Sequence, residues 1–273
     1  QRANLREMNQ QRTRALAIPS PLVAAFSKAC SKCEISWRNA RIENNYKMVK
    51  PLLQEVLNLK LQIAEVKSEA LGISLYDSLL DDFEPGGESQ KIDILFNNYA
   101  EFFPEFLETV LIVQSKKEPF IKPAGPFSIK AQESLCKHLM ESLGFDFSGG
   151  RLDISAHPFC GGIPDDVRIT TRYNKDDFTS SLMGVLHETG HALYEMGLPK
   201  NWRHQPIGEA MGMSIHESQS LLFEMQVCRS LPFLKWATPQ ISSKLNGKGP
   251  AWEADNLFRF YTQVKPSLIR VDA

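Results

Sequence analysis

The stretch 182-LMGVLHETGHALYEMG-197 places two histidines four residues apart, with a glutamate directly after the first. Its apolar residues recur at helical spacing, which predicts a helix from about Asp177 to Gly197. Residues four apart on a helix are separated by about 40° around the axis and about 6 Å along it. His187 and His191 therefore share one face of the helix, where two imidazoles can bind one metal ion.

The residues between the histidines also indicate a metal site. Zinc suits imidazole and carboxylate ligands, and catalytic zinc sites keep one position open for a water. The ion lowers the pKa of that water toward about 7, so a neighbouring carboxylate can take its proton. Glu188 fits this role, which is that of the glutamate in H-E-x-x-H metalloproteases. Gly190 costs a helix roughly 1 kcal/mol relative to alanine, so we expect another segment to approach the backbone there.

The third metal ligand must come from another segment. No H-x-x-G-x-x-H continuation follows His191, which favours a glutamate on a second helix over a downstream histidine or aspartate. The next helical segment, 208-GEAMGMSIHESQSLLFEMQVCRS-230, offers Glu209, His216, Glu217 and Glu224. Spacing alone does not choose among the glutamates, because Glu209 could interact with a helix dipole and Glu224 could be a surface charge.

Composition excludes several classes of partner. The chain has 273 residues, 31 Lys plus Arg, 32 Asp plus Glu and a net charge of −1. This balance argues against a nucleic-acid or anionic-membrane surface, since both need a basic excess. No apolar run approaches the roughly 18 residues of a membrane span, and the polar N-terminal segment 1–14 is no secretory signal. We therefore expect no nucleic-acid and no membrane partner.

Five cysteines are spread thinly along the chain. An odd, scattered set is no disulfide framework, and it predicts a reducing, cytoplasmic compartment. Cys30 and Cys33 have the spacing of a metal or redox pair, but the sequence contains no second cysteine pair to complete a metal site, and both residues lie in a helical stretch. We interpret them as structural residues of that helix.

The chain divides into three parts by pattern. Residues 1–150 are helical, residues 151–175 form a β insertion, and residues 176–273 supply the metal-site helices. The helical patterns of the first part cover residues 4–17, 22–46, 52–72, 89–113 and 128–143. Gly72 is expected to end the third of these helices. We expect a break between the second and third helices, before Pro51, and Pro104 should break or kink the fourth helix.

The β insertion contains two segments rich in β-branched and aromatic residues, 151–159 and 166–173. Gly161, Gly162 and Pro164 lie between them, which predicts a small antiparallel hairpin near the active site. The fold class expected is therefore mainly α, in a single helical catalytic domain over residues 1–273.

Four motifs occur in order: 157-HPF-159, 166-DVRIT-170, 187-HETGH-191 and 216-HESQS-220. Together they resemble the Taq-type thermostable metallocarboxypeptidases, a family that carries H-P-F, D-x-R-x-T, H-E-x-x-H, H-E-S/G-Q and I-R-x-x-A-D in sequence. The segments 143-LGFDFSGGRLD-153 and 266-PSLIRVDA-273 also fit, so the resemblance covers nearly the whole chain. It implies a multi-helix, groove-containing zinc peptidase fold and removal of single residues from peptides with a free C-terminus.

The resemblance also implies roles for the metal-site residues. It makes His187, His191 and Glu217 the metal ligands and Glu188 the base that activates water. Zinc is the expected ion, although imidazole and carboxylate also accept cobalt or manganese. A homodimer is implied by the resemblance alone.

The substrate end of the groove is implied in the same way, with His157, Asp166, Arg168 and Thr170 shaping it. Arg270 is the candidate for the terminal carboxylate of the peptide, because a guanidinium binds a carboxylate bidentately and sets the register at the chain end. Arg168 could instead pair with an aspartate of the hairpin, and His157 could cap a strand end.

The chain departs from the family pattern at its end. It stops at Ala273, one residue short of completing I-R-x-x-A-D, and the later G-x-x-Q-D-x-H-W region is absent. We expect a piece of a longer protein, truncated at both ends, with part of the substrate-binding wall missing and activity of its own in doubt. Two alternatives remain open: a metal-dependent endopeptidase or oligopeptidase on a similar scaffold, and a non-catalytic helical scaffold protein.

Overall fold

The computed structural model describes residues 1–155 and 158–266, and these are mainly helical. They form two compact units. Unit 1 contains Gln1–Asn97 and His204–Ile207, and unit 2 contains Asn98–Arg203 and the residues from Gly208 onward. The predicted fold class, mainly α with a small sheet, is confirmed, whereas the assignment of the whole chain to one catalytic domain stays a prediction.

Unit 1 is built from successive helices. They are α1 (Arg2–Ala17), α2 (Ser20–Ile42), α3 (Tyr46–Leu71), α4 (Leu75–Leu80) and the first turns of α5 (Ser89–Ser115), which continues into unit 2. Gly72 ends α3 as predicted, since its φ of +68° is left-handed and its N–H donates to the carbonyl of Ser68.

A break precedes Pro51 as predicted, since residues 43–45 separate α2 from α3, although Pro51 itself lies inside α3. Pro104 lies inside α5 and does not break it, and the kink expected there stays a prediction. Each proline removes one backbone hydrogen bond. Pro51 does so close to the start of α3, and Pro104 has several helical turns on both sides, so both helices continue.

The five cysteines all lie among the described residues, and all are free thiols. Cys33 is buried between α2 and α3 with Ala40 and Val49. This position agrees with a structural role.

Unit 2 surrounds the segment that carries the paired histidines. After α5 its elements are α6 (Ile129–Ser142), β1 (Gly150–Ile154), β2 (Phe159–Ile163), β3 (Asp166–Thr171), α7 (Thr179–Gly197), α8 (Met213–Leu221), a π-helical segment (Leu222–Cys228), α9 (Leu231–Leu245) and α10 (Ala254–Tyr261). Short 3-10 turns lie between several of them.

The sheet has the strand order β1-β3-β2. β2 and β3 form an antiparallel hairpin, whereas β1 runs parallel to β3. The predicted hairpin is therefore correct for β2 and β3 and wrong in its partner, since 151–159 does not form one strand that pairs antiparallel with β3. Gly161 and Gly162 lie within β2 and not in the turn. Gly162 has a φ of +107°, and a Cβ there would lie 2.1 Å from the carbonyl oxygen of Asp166, so this strand needs a glycine.

α7 lies in the centre of the core of unit 2. Leu182, Val185 and Leu186 are buried in one cluster with Val167 and Ile169 of β3. The other side of α7 packs on α8 and the π-helical segment. The helix with the paired histidines is therefore held between the sheet and the segment that carries the candidate third ligands. None of the helices in residues 1–155 and 158–266 combines the length and the apolarity that a membrane span requires.

Candidate metal centre

Three of the predicted residues converge at the contact between α7 and α8. The Nε2 atom of His187 lies 3.7 Å from Oε2 of Glu217, and Nε2 of His191 lies 3.2 Å from the same oxygen. The possible ligand atoms of all three residues lie within 4.8 Å of one another. Glu217 thus reaches both imidazoles although 25 residues, 192–216, separate it from His191 in the sequence.

The position of His187 is set by a buried carboxylate. Its Nδ1 lies 3.0 Å from Oε2 of Glu224, in the π-helical segment. Arg229 donates to the other oxygen of Glu224. Glu224 is therefore a buried anion with a partner on each oxygen, and it orients the imidazole of His187.

The position of His191 is set by a second chain of contacts. Its Nδ1 lies 2.6 Å from Nδ1 of His216, and Nε2 of His216 lies 2.8 Å from Oε1 of Glu195. When the N–H at Nε2 of His216 donates to the carboxylate of Glu195, Nδ1 of His216 accepts a hydrogen bond from the N–H at Nδ1 of His191. Each metal-site histidine is then held through Nδ1 by a group outside the cluster.

These contacts leave the Nε2 atoms of both imidazoles beside the carboxylate of Glu217. Burial opposes a charge on His187, but the hydrogen bond to Glu224 and the charge of Glu217 raise its pKa, so the surroundings favour positive charge at this point. Two imidazole nitrogens and a carboxylate oxygen are donor types that zinc binds, so the donor set fits a metal ion. Ligands about 2.0–2.1 Å from a tetrahedral zinc lie roughly 3.3–3.5 Å apart, and the Nε2–Oε2 distances of 3.2 and 3.7 Å bracket that separation. The residues present therefore fit a tetrahedral ion with one position left open.

Gly190 allows α8 to come this close. A Cβ at this position would lie 2.6 Å from Cα of Ser220 and 2.7 Å from the carbonyl oxygen of Gln219. Those residues follow Glu217 on α8, so the missing side chain lets the two helix backbones touch beside the candidate metal ligands. The close approach expected from the sequence is present.

Glu188 is buried and lines a cavity of about 1110 Å³ together with His187. The cavity wall also includes Arg172, Lys175 and Tyr261. A carboxylate next to the metal ligands and facing a cavity of this size is placed to act on a molecule bound there.

Burial and neighbouring charges shift the pKa values of this cluster. Burial raises the pKa of Glu188, and the nearby Glu217 carboxylate adds to this. Burial, together with the charges of His187 and His216, lowers the pKa of His191 to about 4. Burial opposes ionisation of Glu224, yet the hydrogen bonds from His187 and Arg229 hold its pKa below the usual value. His191 is thus neutral near pH 7, as a metal ligand must be.

The predicted substrate-binding residues either lie away from the described cavity wall or belong to residues that the structure does not describe. Arg168 pairs with Asp166 at 2.7 Å on the exposed side of β3, and neither residue lines the described cavity wall. Thr170 is half-buried on the same strand, opposite Phe159. His157 and Arg270 lie outside the described residues, and the substrate roles of all five residues stay predictions.

Several residues of the centre were not assigned a role from the sequence. Glu224 is no surface charge, since only 6% of it is exposed and it contacts His187. His216 and Glu195 support His191. One signal could have found Glu224: it follows Glu217 by seven residues, so both lie on nearly the same side of a helix. No comparable spacing links Glu195 to His216.

Two histidines and a glutamate from a second helix, with a buried glutamate beside them, form a candidate metal site on a mainly helical fold. The model of the carboxypeptidase Taq (M32) metallopeptidase family matches residues 1–273, and the chain belongs to this family. It is 38% identical over 279 residues to thermostable carboxypeptidase 1 of Thermus thermophilus and 32% identical over 262 residues to carboxypeptidase 1 of Bacillus subtilis.

The fold is also similar to solved structures. The structure of Trypanosoma cruzi metallocarboxypeptidase 1 superposes with a TM-score of 0.92 at 39% identity, over 100% of this chain and 55% of that one. The chain spans about half the length of the curated relatives it matches, since the matches cover 99% and 94% of it but 54% and 51% of the relatives. The family resemblance seen in the sequence is thereby confirmed.

Proposed function

We propose that the protein to which this chain belongs is a zinc carboxypeptidase that removes single residues from the C-termini of peptides. The observation that carries this is the convergence of His187 Nε2, His191 Nε2 and Glu217 Oε2 beside buried Glu188. When bound, the ion supplies positive charge that polarises the scissile carbonyl and lowers the pKa of a water. Membership of a metallopeptidase family supports the proposal.

Glu188 acts as the general base. A carboxylate oxygen of Glu188 takes a proton from the water that attacks the scissile carbonyl carbon, and it later gives that proton to the leaving amine nitrogen. A base works best when its pKa lies near the working pH, and burial moves the pKa of Glu188 in that direction. Glu224 and His216 hold the two imidazoles still, so the ligands need not reorganise during the reaction.

An exopeptidase must also recognise the free carboxylate at the end of the peptide. Arg270 is the proposed partner of this group, on the family resemblance. Arg172 and Lys175 line the same cavity as His187 and Glu188 and add positive charge to its wall. His157, Asp166, Arg168 and Thr170 are proposed to shape the substrate end of the groove.

The test uses the full-length protein and two substitutions. His187→Ala should abolish zinc binding, measured as metal per protein after dialysis. Glu188→Gln should retain the metal and lose turnover of a defined peptide by at least about a hundredfold, the range for a general base. Glu209→Gln is the matched control, because Glu209 is an exposed glutamate outside the cluster, and it should leave both values unchanged.

The product pattern separates the proposal from its alternatives. A peptide with a free C-terminus should lose one residue at a time, and a chelator should stop the reaction. Equal cleavage of a peptide with an amidated C-terminus would point to an endopeptidase or oligopeptidase. If the Glu188→Gln variant keeps its turnover, Glu188 is not the base. If the purified full-length protein binds no metal, it is a non-catalytic scaffold protein.

Three finer points belong to the same proposal. Zinc is proposed over cobalt and manganese because the His-His-Glu set suits it. A homodimer and a cytoplasmic location are proposed, the first on the family resemblance and the second on the scattered free thiols. Sedimentation of the full-length protein and fractionation of the source cells test these two points.

A further inference from the structure

Gly184 is a second glycine in the interior of α7. Glycine weakens a helix interior relative to alanine, and at Gly190 the contact with α8 explains it. Gly184 has no such contact, since a Cβ built on it meets nothing within 4 Å among the described residues. Its φ is not left-handed either. Neither packing nor backbone conformation within the described residues therefore requires a glycine at position 184.

The free side of Gly184 faces the cavity beside the metal centre. From Ser181 to Gly190 every residue except Gly184 is buried. Gly184 lines the cavity of about 1110 Å³ that His187 and Glu188 also line. It precedes these two residues by three and four positions, so all three share one side of the helix within about 4.5–6 Å along its axis.

A side chain at position 184 would occupy this cavity without reaching the candidate ligands. Side chains on a helix lean toward its N-terminus. One at position 184 would therefore extend into the cavity on the side away from His187 and Glu188. The missing side chain leaves room for another molecule one helical turn from the centre.

The position of Glu188 indicates which part of a peptide would use this room. In the proposed function Glu188 returns its proton to the nitrogen of the leaving residue, so that nitrogen must come within about 2.6–3.2 Å of the carboxylate. The side chain of the leaving residue begins two bonds further on, about 2.5 Å from the nitrogen. The C-terminal residue of the peptide therefore places its side chain near Glu188, and the space beside Gly184 lies one turn away.

Charge does not decide which side chain fits there. The cavity wall contains two cations, Arg172 and Lys175, and two aspartates, Asp176 and Asp177. The Asp177 carboxylate already accepts hydrogen bonds from residues 179 and 180. Apolar surface comes from other residues of the wall, namely Ile129, Met183 and Phe260. Selection beside Gly184 should therefore act on the size of the side chain.

We propose that Gly184 is a specificity-determining residue, whose missing side chain admits a large C-terminal residue of the peptide, such as phenylalanine. The inference rests on the proposed function and adds to it the class of substrate, peptides that end in a large apolar residue. A leucine at position 184 would fill the space that such a residue needs and leave room for a small one.

The experiment uses the full-length protein and two peptides that differ only in a C-terminal phenylalanine or alanine. Gly184→Leu should lower kcat/KM for the phenylalanine peptide at least about tenfold and change that for the alanine peptide by no more than about threefold. Gly184→Ala should shift the preference in the same direction by a smaller factor. Bound zinc and the Tm should stay unchanged in both variants, because the new side chains extend away from the ligands.

The matched control is Gly197→Leu. Gly197 lies on the same helix, is exposed, and has nothing within 4 Å of a Cβ, but it does not line the described cavity. The control should leave the preference between the two peptides unchanged. A second pair of peptides, which differ only in the penultimate residue, should keep its preference in Gly184→Leu.

A binding measurement separates this inference from the proposed function. Calorimetry with the Glu188→Gln protein as background gives the Kd of each peptide without turnover. Gly184→Leu in that background should weaken binding of the phenylalanine peptide at least about tenfold and spare the alanine peptide. If the unsubstituted protein cleaves neither peptide, the proposed function fails, and the Kd values still decide the role of Gly184.

Three results would overturn the inference. The first is an equal loss for both peptides in Gly184→Leu, and the second is a change in preference at the penultimate residue. The third is a lower Tm of Gly184→Leu, which would show that the full-length protein itself fills the space. If Gly184→Leu fails to fold, an unaltered preference in Gly184→Ala overturns the inference as well.

Discussion

α7 and α5 are both long helices with many apolar residues, yet α7 is largely buried and α5 is exposed. α7 has 19 residues, and eleven of them are buried. α5 has 27 residues, and none is buried. The sheet, α8 and the π-helical segment enclose α7, whereas the described residues leave α5 uncovered. An apolar sequence therefore does not by itself make a helix buried. Burial depends on other segments that pack against the helix, and of these two helices only α7 has such neighbours on both sides among the described residues.

The largest contrast is expected in stability. Leu182→Ala removes a fully buried side chain of α7 and should lower the free energy of unfolding by about 2–5 kcal/mol. Phe102→Ala removes a larger side chain of α5 that is already half exposed, and should change it by no more than about 0.5 kcal/mol. Denaturant unfolding of both variants measures the two values. Equal losses would show that α5 is covered as well as α7.

The next contrast lies within α7 itself. Gly190→Ala places a methyl group against the backbone of Ser220 and Gln219, which should cost about 1–3 kcal/mol as overpacking. Because the strain displaces α8, zinc affinity should fall with stability. Gly184→Ala is the matched control, since a Cβ there meets nothing within 4 Å, and it should be neutral or slightly stabilising. Unchanged zinc binding in Gly190→Ala would mean that the helix contact does not set the site.

The smallest effect is expected at Glu224, which contacts the candidate ligand His187 from the side away from Glu217 through Nδ1. Glu224→Gln keeps the shape of the side chain but removes the charge that holds His187 and Arg229. Zinc affinity should fall about 10–100-fold, measured by competition with a chromophoric chelator. Glu209→Gln changes an exposed glutamate of the same sequence region and should have no effect. Equal zinc affinity of the two variants would show that Glu224 does not orient His187.

Much of the fold was readable because its determinants are local. α3 ends at a left-handed glycine, Gly72, as expected for a helix terminus. α7 also ends at the predicted Gly197, although its cap, Leu198, is extended. The strand pairing was less readable. Gly161 and Gly162 indicated a turn, but the contact with Asp166 that requires Gly162 exists only once β2 and β3 pair.

The candidate site also contains some residues that local spacing predicts and others that only tertiary packing identifies. His187 and His191 share a helix face by the geometry of the α-helix alone, so their spacing already predicted a metal site. Local spacing could not choose between Glu209, Glu217 and Glu224, because all three lie in one helical region. The packing of α8 on Gly190 brings Glu217 to the imidazoles and leaves Glu209 exposed.

The paired histidines, the proposed base beside them and the mainly helical character of the chain could therefore be predicted from the order of residues, because backbone hydrogen bonds set the geometry of a helix over a few positions. The choice of the candidate third ligand, the burial of Glu224 and the exposure of α5 depend on contacts between segments far apart in the chain. Such contacts are set by the packing of whole elements, which no short stretch of residues specifies.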